Sequence, residues 1–397
     1  MLPETRPYRE EFIAISRRPR GSDLITPINL LHVLPSFDIG GSQRRMIALA
    51  AGLGAEFLHT VVAIDGSHEA SILVPPGTPI RYAAIRLTRS RGVSLGNLVR
   101  AHRLLRAERP RLLLTYNWGA IEVAFANRLG PHCPHLHCED GFAGAAAQGP
   151  EPRRRALARR LSLGPASRLV VPSRGLEELA RSVWGIPAAH IIRIPNGIDT
   201  RRFCPPPAAR AAGRSAKDGG IVVGTLTRLS AEKNVHRLLR AFARLPSDGR
   251  IVLMVAGEGP DRQALESASA SLGLDSRVTF TGRVVDAAEA LRGFDVFAVT
   301  SDSEQMPFSV LEAMACGLPI VATDVGEIQD MVSDENRSFV VPRADEAAFA
   351  DSLRSLNASA ELRLALGAAN RRKAERLFDE RTMIARYRDL IRVTLGD

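Results

Sequence analysis

The sequence predicts an α/β protein of two doubly wound parallel-sheet domains, and three observations predict it. The chain has 397 residues, which at roughly 150 residues per domain gives two or three units, each able to bury its own core. The pattern of short apolar strand, turn and amphipathic helix runs through two separate stretches, the signature of parallel sheets joined by crossover helices. Between them residues 200–219, TRRFCPPPAARAAGRSAKDG, give up periodicity for Pro, Ala, Gly and charge, which marks a linker.

Residues 1–27 read as a basic extension, and residues 28–199 as the first domain. The apolar run 28–34 is a buried strand, and Gly40-Gly41 then precede a helical pattern carrying Met46, Leu49 and Leu53. Segments 60–64, 111–115 and 169–172 read as further strands, and 98–109 as a helix whose charged face holds Arg100, Arg103, Arg106 and Arg109. The second domain, 220–376, restarts with a strand at 221–226 and a helix built on Val235, Leu238, Leu239 and Phe242. Strands follow at 251–256, 278–282, 296–300 and 320–323, with a helix at 310–315 stopped by Gly317. Helical patterning resumes near Glu346 and runs to the end, and residues 377–397 form the final helix.

Composition excludes several classes. Hydrophobic residues are 45% and charged residues 24% of the chain, so neither disorder nor a fibrous repeat is expected. The four cysteines, Cys133, Cys138, Cys204 and Cys316, form no disulfide framework and fit a reducing compartment. No apolar run approaches the roughly 20 residues that cross a bilayer, and the polar start lacks a signal-peptide core; the expected location is the cytoplasm. The net charge of +10 is unevenly placed: residues 1–199 carry 26 Arg and Lys against 16 Asp and Glu, whereas residues 200–397 carry 27 against 27. The first domain is therefore the one expected to meet an anionic partner. Arg100, Arg103, Arg106, Arg153, Arg154 and Arg155 would suit the inner face of a membrane. The bland alternative is a solvated basic surface. A nucleic-acid partner is not expected, because aromatics are only 5% and no recognised module is present.

The densest chemical signal is Ser301-Asp-Ser-Glu304-Gln305-Met306-Pro307-Phe308-Ser309-Val310-Leu-Glu312, continuing to Gly317. Glu304 falls in a loop and Glu312 one or two turns into a helix, so both carboxylates can flank one helix N-terminus. Unpaired N–H groups there suit phosphate, and carboxylates accept hydrogen bonds from sugar hydroxyls. Upstream, Arg228 and Lys233 stand five residues apart between a strand and a helix, placed to close on a diphosphate from two sides. Gly40 and Gly41, followed by Arg44, put bare backbone at another strand-to-helix turn. Gly257-Glu258-Gly259 also follows a strand and is expected to shape a turn.

These residues, taken with Ile194-Pro195-Asn196-Gly197 and Leu311-Glu312-Ala313-Met314-Ala315, resemble the family 4 glycosyltransferases. The resemblance spans about residue 28 to the end and is to exopolysaccharide and lipopolysaccharide types; Gln305-Met306-Pro307 departs from the usual Gly-Phe-Gly, a version similar to that of exopolysaccharide-type members. It implies a glycosyltransferase B-type fold, two Rossmann-like domains facing across a cleft, with the final helix crossing back onto the first domain. It implies retention of anomeric configuration, no required metal or other cofactor, and a UDP- or GDP-linked sugar as donor. Arg228 and Lys233 would hold the donor diphosphate, Glu312 the ribose and Glu304 the donor sugar. Asn196, Gly40, Gly41 and the stretch Gln305, Met306, Pro307, Phe308, Ser309, Val310 would complete the donor site, and Arg44, Asn117, His137 and Glu139 the acceptor side. The acceptor would be a saccharide, lipid-linked, in cell-surface polysaccharide synthesis.

In Pro131–Gly141 an extended strand would place Cys133, His135 and His137 on one face, but the spacing is no standard zinc pattern and no metal is expected. The resemblance instead puts this strand end at the cleft, with His137, Glu139 and Gly141 matching a His-x-Glu-His-Gly-like stretch and Asp140 standing where its second His would be; it implies that His137 and Asp140 orient donor sugar or acceptor, the alternative being a structural role. No residue stands out as a nucleophile. A silent sugar-nucleotide sensor, a basic nucleic-acid-binding protein and an epimerase of the same fold are the rival readings.

Overall fold

The computed structural model describes residues 27–87, 94–130, 132–141, 153–206, 220–247 and 251–396. The expected extension 1–27 lies, apart from residue 27, outside the described residues, as does most of the linker, 207–219.

Two all-parallel sheets form. The first contains β1 (Ile28–Leu34), β2 (Phe57–Ala63), β3 (Ile80–Tyr82), β4 (Leu112–Tyr116), β5 (His135–Cys138), β6 (Ser167–Val171) and β7 (Ile191–Arg193), in the order β3-β2-β1-β4-β5-β6-β7. The second contains β8 (Ile221–Leu226), β9 (Ile251–Ala256), β10 (Val278–Gly282), β11 (Val296–Val299), β12 (Ile320–Thr323) and β13 (Val340–Val341), in the order β10-β9-β8-β11-β12-β13. Helices cover both faces of each. On one face of the first sheet Leu30, Leu112 and Leu136 pack with the helix Gly41–Leu53; on the other Leu31, Val33 and Leu113 pack with the helices Leu95–Glu108 and Ile121–Leu129. The strand order reverses between β1 and β4, and between β8 and β11. In such sheets ligands bind beyond the carboxyl ends of the strands at these switch points.

Strands expected at 221–226, 251–256, 278–282 and 320–323 have those bounds, and the first-half strands shift by up to three residues. The long C-terminal helical stretch is three helices, Glu346–Ala358, Ala360–Leu377 and Glu380–Leu395. The breaks occur where Ser359 Oγ accepts from the Leu362 amide (3.1 Å) and Asp379 Oδ1 accepts from the Arg381 amide (2.9 Å), N-caps that compete with helix continuation.

The chain crosses between the sheets twice, side by side. Ile198 N donates to Phe378 O (2.8 Å) and Glu380 N to Ile198 O (3.0 Å). A Cβ on Gly197 would lie 2.6 Å from Glu380 Cα, so only glycine fits this contact. The last helix then buries Met383, Ile384, Tyr387 and Ile391 in the core of the first sheet. Burial, with Asp199 and Asp379 nearby, pushes the Glu380 carboxyl up to about 7. A carboxyl raised on folding favours the native state fully below the unfolded pKa of about 4.3 and loses that contribution as pH rises through its folded value. Glu380→Gln should therefore flatten the loss of stability between about pH 4.5 and 7 in urea denaturation; an unchanged pH profile would refute this.

Candidate active site

At the carboxyl end of β8 the segment Thr227–Asn234 is held by close backbone packing. Thr227 N donates to Ala256 O (3.0 Å) and Leu229 N to Glu258 O (2.9 Å). A Cβ on Gly257, whose φ is +141°, would lie 1.8 Å from Thr227 O, and one on Gly259 2.1 Å from Leu229 O. These glycines thus do more than form the turn expected of them: they let one loop lie directly on the other. Asn234, at φ 43°, accepts from the Arg237 amide (3.2 Å) and starts the helix Val235–Ala243. Lys233, in the turn before it, reaches Glu304 Oε1 at 2.6 Å, and Ser301 Oγ donates to the same oxygen at 2.7 Å. Arg228 is exposed, and its carbonyl accepts from the Ser230 amide at 3.0 Å. Its charge nevertheless acts on a carboxyl of the first domain. Hydrogen bonds from Ser67 and Ser36 hold the Asp38 carboxyl below the usual range, and the charges of Arg228 and Arg283 add to this.

Beyond β11 the helix Phe308–Ala315 begins after Pro307 and ends before Gly317, whose φ is 73°. Its open N-terminus points into the gap between the sheets, and a Cβ on Gly41 would sit 3.0 Å from Phe308 Cδ2. Glu312, in the second turn, is buried and ion-paired with Arg44 of the first domain. Arg44, expected on the acceptor side, therefore reaches across to the other wall. Burial raises the Glu312 pKa, and Arg44 and Arg202 pull it partly back. Arg44→Ala should raise the Glu312 midpoint further, read by carbon NMR of the side-chain carboxyl. A midpoint that stays or falls would contradict the electrostatic role of this pair.

On the first-domain wall, Arg45 is 1% exposed and grips both oxygens of Asp140, with Nη2–Oδ2 at 2.8 Å, while its Nη1 donates to Asn196 Oδ1 at 3.1 Å. Asn196 Nδ2 donates to Met306 O (3.0 Å), and Asn117 Oδ1 accepts from the Asp140 amide (2.8 Å). Gln305 crosses to Ser173, whose Oγ donates to Gln305 Oε1 at 3.2 Å, and it packs against Gly141. The bulkier Gln-Met-Pro segment thus joins the two domains.

Two expected acceptor-side groups do not face the gap, and this corrects their sequence placement. His137 and Glu139 are both 0% exposed. Thr115 Oγ1 lies 2.7 Å from His137 Nδ1 and 2.8 Å from His135 Nε2, so one hydroxyl ties the β5 histidines to β4. Glu139 Oε2 accepts from Arg159 at 3.0 and 2.9 Å, with Arg159 held over the Trp184 ring. β5 is an interior strand covered on both faces, so alternation cannot expose His137, and Glu139, just past its end, is covered by Arg159. Among the described residues no three of His, Cys, Asp and Glu are grouped to hold a metal ion. Sequence reasoning missed Arg45, because Arg44-Arg45 reads as a surface pair. The available signal was spacing: Arg45 lies four residues before the buried Leu49, on the core-facing stripe.

Residues 39–202 match the family described as Glycosyltransferase Family 4, and residues 210–373 match Glycosyl transferases group 1. The chain is 33% identical over 296 residues to the D-inositol 3-phosphate glycosyltransferase of Saccharomonospora viridis, covering 68% of this chain and 67% of that one. It is 28% identical over 347 residues to the 2-deoxystreptamine N-acetyl-D-glucosaminyltransferase of Streptomyces fradiae, covering 78% and 80%. The fold is similar to that of HepE from Anabaena, solved in complex with UDP, at a TM-score of 0.78 and 19% identity over 92% of this chain and 99% of that one. The chain belongs to the family 4 glycosyltransferases.

Proposed function

We propose that this glycosyltransferase moves a sugar from a UDP- or GDP-linked donor to a saccharide acceptor with retention of anomeric configuration. The observation that carries this reading is the Lys233–Glu304 contact beside the open N-terminus of Phe308–Ala315, with Glu312 on the same helix. In it, Lys233, Arg228 and the first amides of that helix receive the diphosphate, Glu304 a hydroxyl of the donor sugar, and Glu312 the ribose. The bond from the anomeric carbon to the leaving phosphate oxygen breaks, and the acceptor oxygen bonds to that carbon on the same face. The acceptor proton passes to a leaving phosphate oxygen. Negative charge grows on that phosphate, so the two cations act most strongly at the transition state. Asp140 and Asn196, locked by Arg45, hold the Met306 segment in register, and His137 and Glu139 stiffen the loop beneath.

A thermal-shift panel of nucleoside diphosphates tests the donor class, since a ligand that binds the native state raises its apparent stability. UDP or GDP should give the largest rise, and no rise with any member would overturn the reading. Proton NMR of the first-formed product would then show the donor's anomeric configuration retained; inversion would reject the same-face step.

We further propose that the acceptor is lipid-linked, in cell-surface polysaccharide synthesis, and that the first domain docks on the anionic inner face of the membrane. Supporting this, the helix Arg153–Ser162 exposes Leu157 and Leu161 among Arg153, Arg154 and Arg160, an arrangement suited to an anionic interface. Basic residues there contribute about 1 kcal/mol each. The protein should co-sediment with phosphatidylglycerol vesicles at low salt and be released at high salt, and recovery in the supernatant at every salt concentration would exclude docking.

A further inference from the structure

His137 and Glu139 are buried away from the gap, and Asn117 and Asp140 are hydrogen-bonded within their own wall. The first-domain wall still offers exposed chemistry at another corner, beyond the carboxyl ends of β1, β2 and β3. Phe37 follows β1, His68 follows β2 and Tyr82 ends β3. The His68 and Tyr82 rings meet edge to face at 5.0 Å between centroids, and the Tyr82 ring lies 6.0 Å from that of Phe37. Phe37 is buried, whereas His68 is exposed and Tyr82 is 44% exposed. Asp38 lies beside them, its carboxylate accepting from Ser67 Oγ, and Asp65 accepts from the Ser67 amide at 2.9 Å.

This corner belongs to the cleft. Arg228 and Arg283 on the second domain act on the Asp38 carboxyl, and Arg283 is paired with Glu69 at 2.9 Å. Arg228 is also one of the two cations assigned to the donor diphosphate, so on that reading the corner lies on the leaving-phosphate side of the cleft.

We propose that the Phe37–His68–Tyr82 corner, with Asp38 beside it, is the platform that receives a pyranose ring of the acceptor. The inference rests on the donor reading above. An exposed aromatic face packs against the apolar C–H face of a sugar, and carboxylates accept from its hydroxyls. Asp38 and Asp65 are the carboxylates left for hydroxyls there, since Glu69 is paired with Arg283.

The test is saturation-transfer NMR on the full chain with UDP or GDP bound, using methyl α-D-glucopyranoside, methyl α-D-mannopyranoside and D-glucosamine as probes. At least one probe should receive saturation from aromatic protons. Tyr82→Ala should weaken its binding about tenfold, a loss of one apolar ring contact in order of magnitude. Tyr82→Phe, which keeps the ring, should retain binding, and nucleotide signals should be the same in all three proteins. Sugar binding unchanged in Tyr82→Ala, or no probe binding while the nucleotide does, overturns the platform and leaves the donor site standing. Failure of the nucleotide itself to bind overturns both.

Discussion

Lys233→Ala is expected to lower kcat/KM roughly 100- to 1000-fold, the usual effect of removing one preorganised contact to developing charge. The magnitude follows from where the ammonium sits. It is held at 2.6 Å from Glu304 by a turn whose backbone is fixed against the Gly257 loop, so it costs no reorganisation when the phosphate departs. Its side chain is 23% exposed, and loss of the pair with Glu304 should affect folding far less than catalysis. Arg228→Ala should follow the same pattern with a smaller penalty, since an exposed guanidinium is less rigidly placed. Steady-state kinetics beside a thermal melt separates the two effects. A Lys233→Ala protein with near-normal turnover would remove the electrostatic cradle, and one that fails to fold would show the residue to be structural.

The second large effect is on stability. Arg45→Ala is expected to cost about 3–5 kcal/mol, because breaking a buried ion pair from one side strands the other charge. Burial alone would pull the Arg45 pKa down, yet the Asp140 carboxylate holds it well above the ordinary guanidinium value. Arg45 also bonds Asn196, which bonds the Met306 carbonyl of the second domain, so the loss should reach the interdomain contact. Urea denaturation of Arg45→Ala, Asp140→Ala and the double variant checks this. The double variant should be less destabilised than the sum of the two, as expected for residues in direct contact. Strict additivity would mean that Arg45 and Asp140 do not act as a pair.

How much was legible depended on length and company. β8 and β9 are six-residue apolar runs bounded by turn signals, and their limits could be read directly from the pattern. β3 and β7 have three residues each and β13 has two, too short for any period to register, so their place came only from pairing with neighbours. Glu304, Lys233 and Glu312 were legible because each sits at a strand-to-helix junction where charge has a reason to be. What could not be read was which charges find each other. Arg44 with Glu312 and Arg45 with Asp140 are 268 and 95 residues apart, and side-by-side arginines carry no local cue that one crosses the gap while the other is buried. His137 and Glu139 misled for the converse reason: polar residues at a strand end suggest a site, but here they are buried, with Thr115 bonding one nitrogen of His137 and Arg159 one oxygen of Glu139.

The central claim is that Arg228, Lys233, Glu304 and Glu312 together hold an activated sugar between the two sheets. A crystal structure of the protein with its preferred nucleoside diphosphate tests it most directly. The account predicts phosphate oxygens within hydrogen-bonding reach of Lys233 Nζ and the Arg228 guanidinium, with the ribose hydroxyls on Glu312. A nucleotide bound elsewhere, or one whose phosphates face away from both cations, would contradict it.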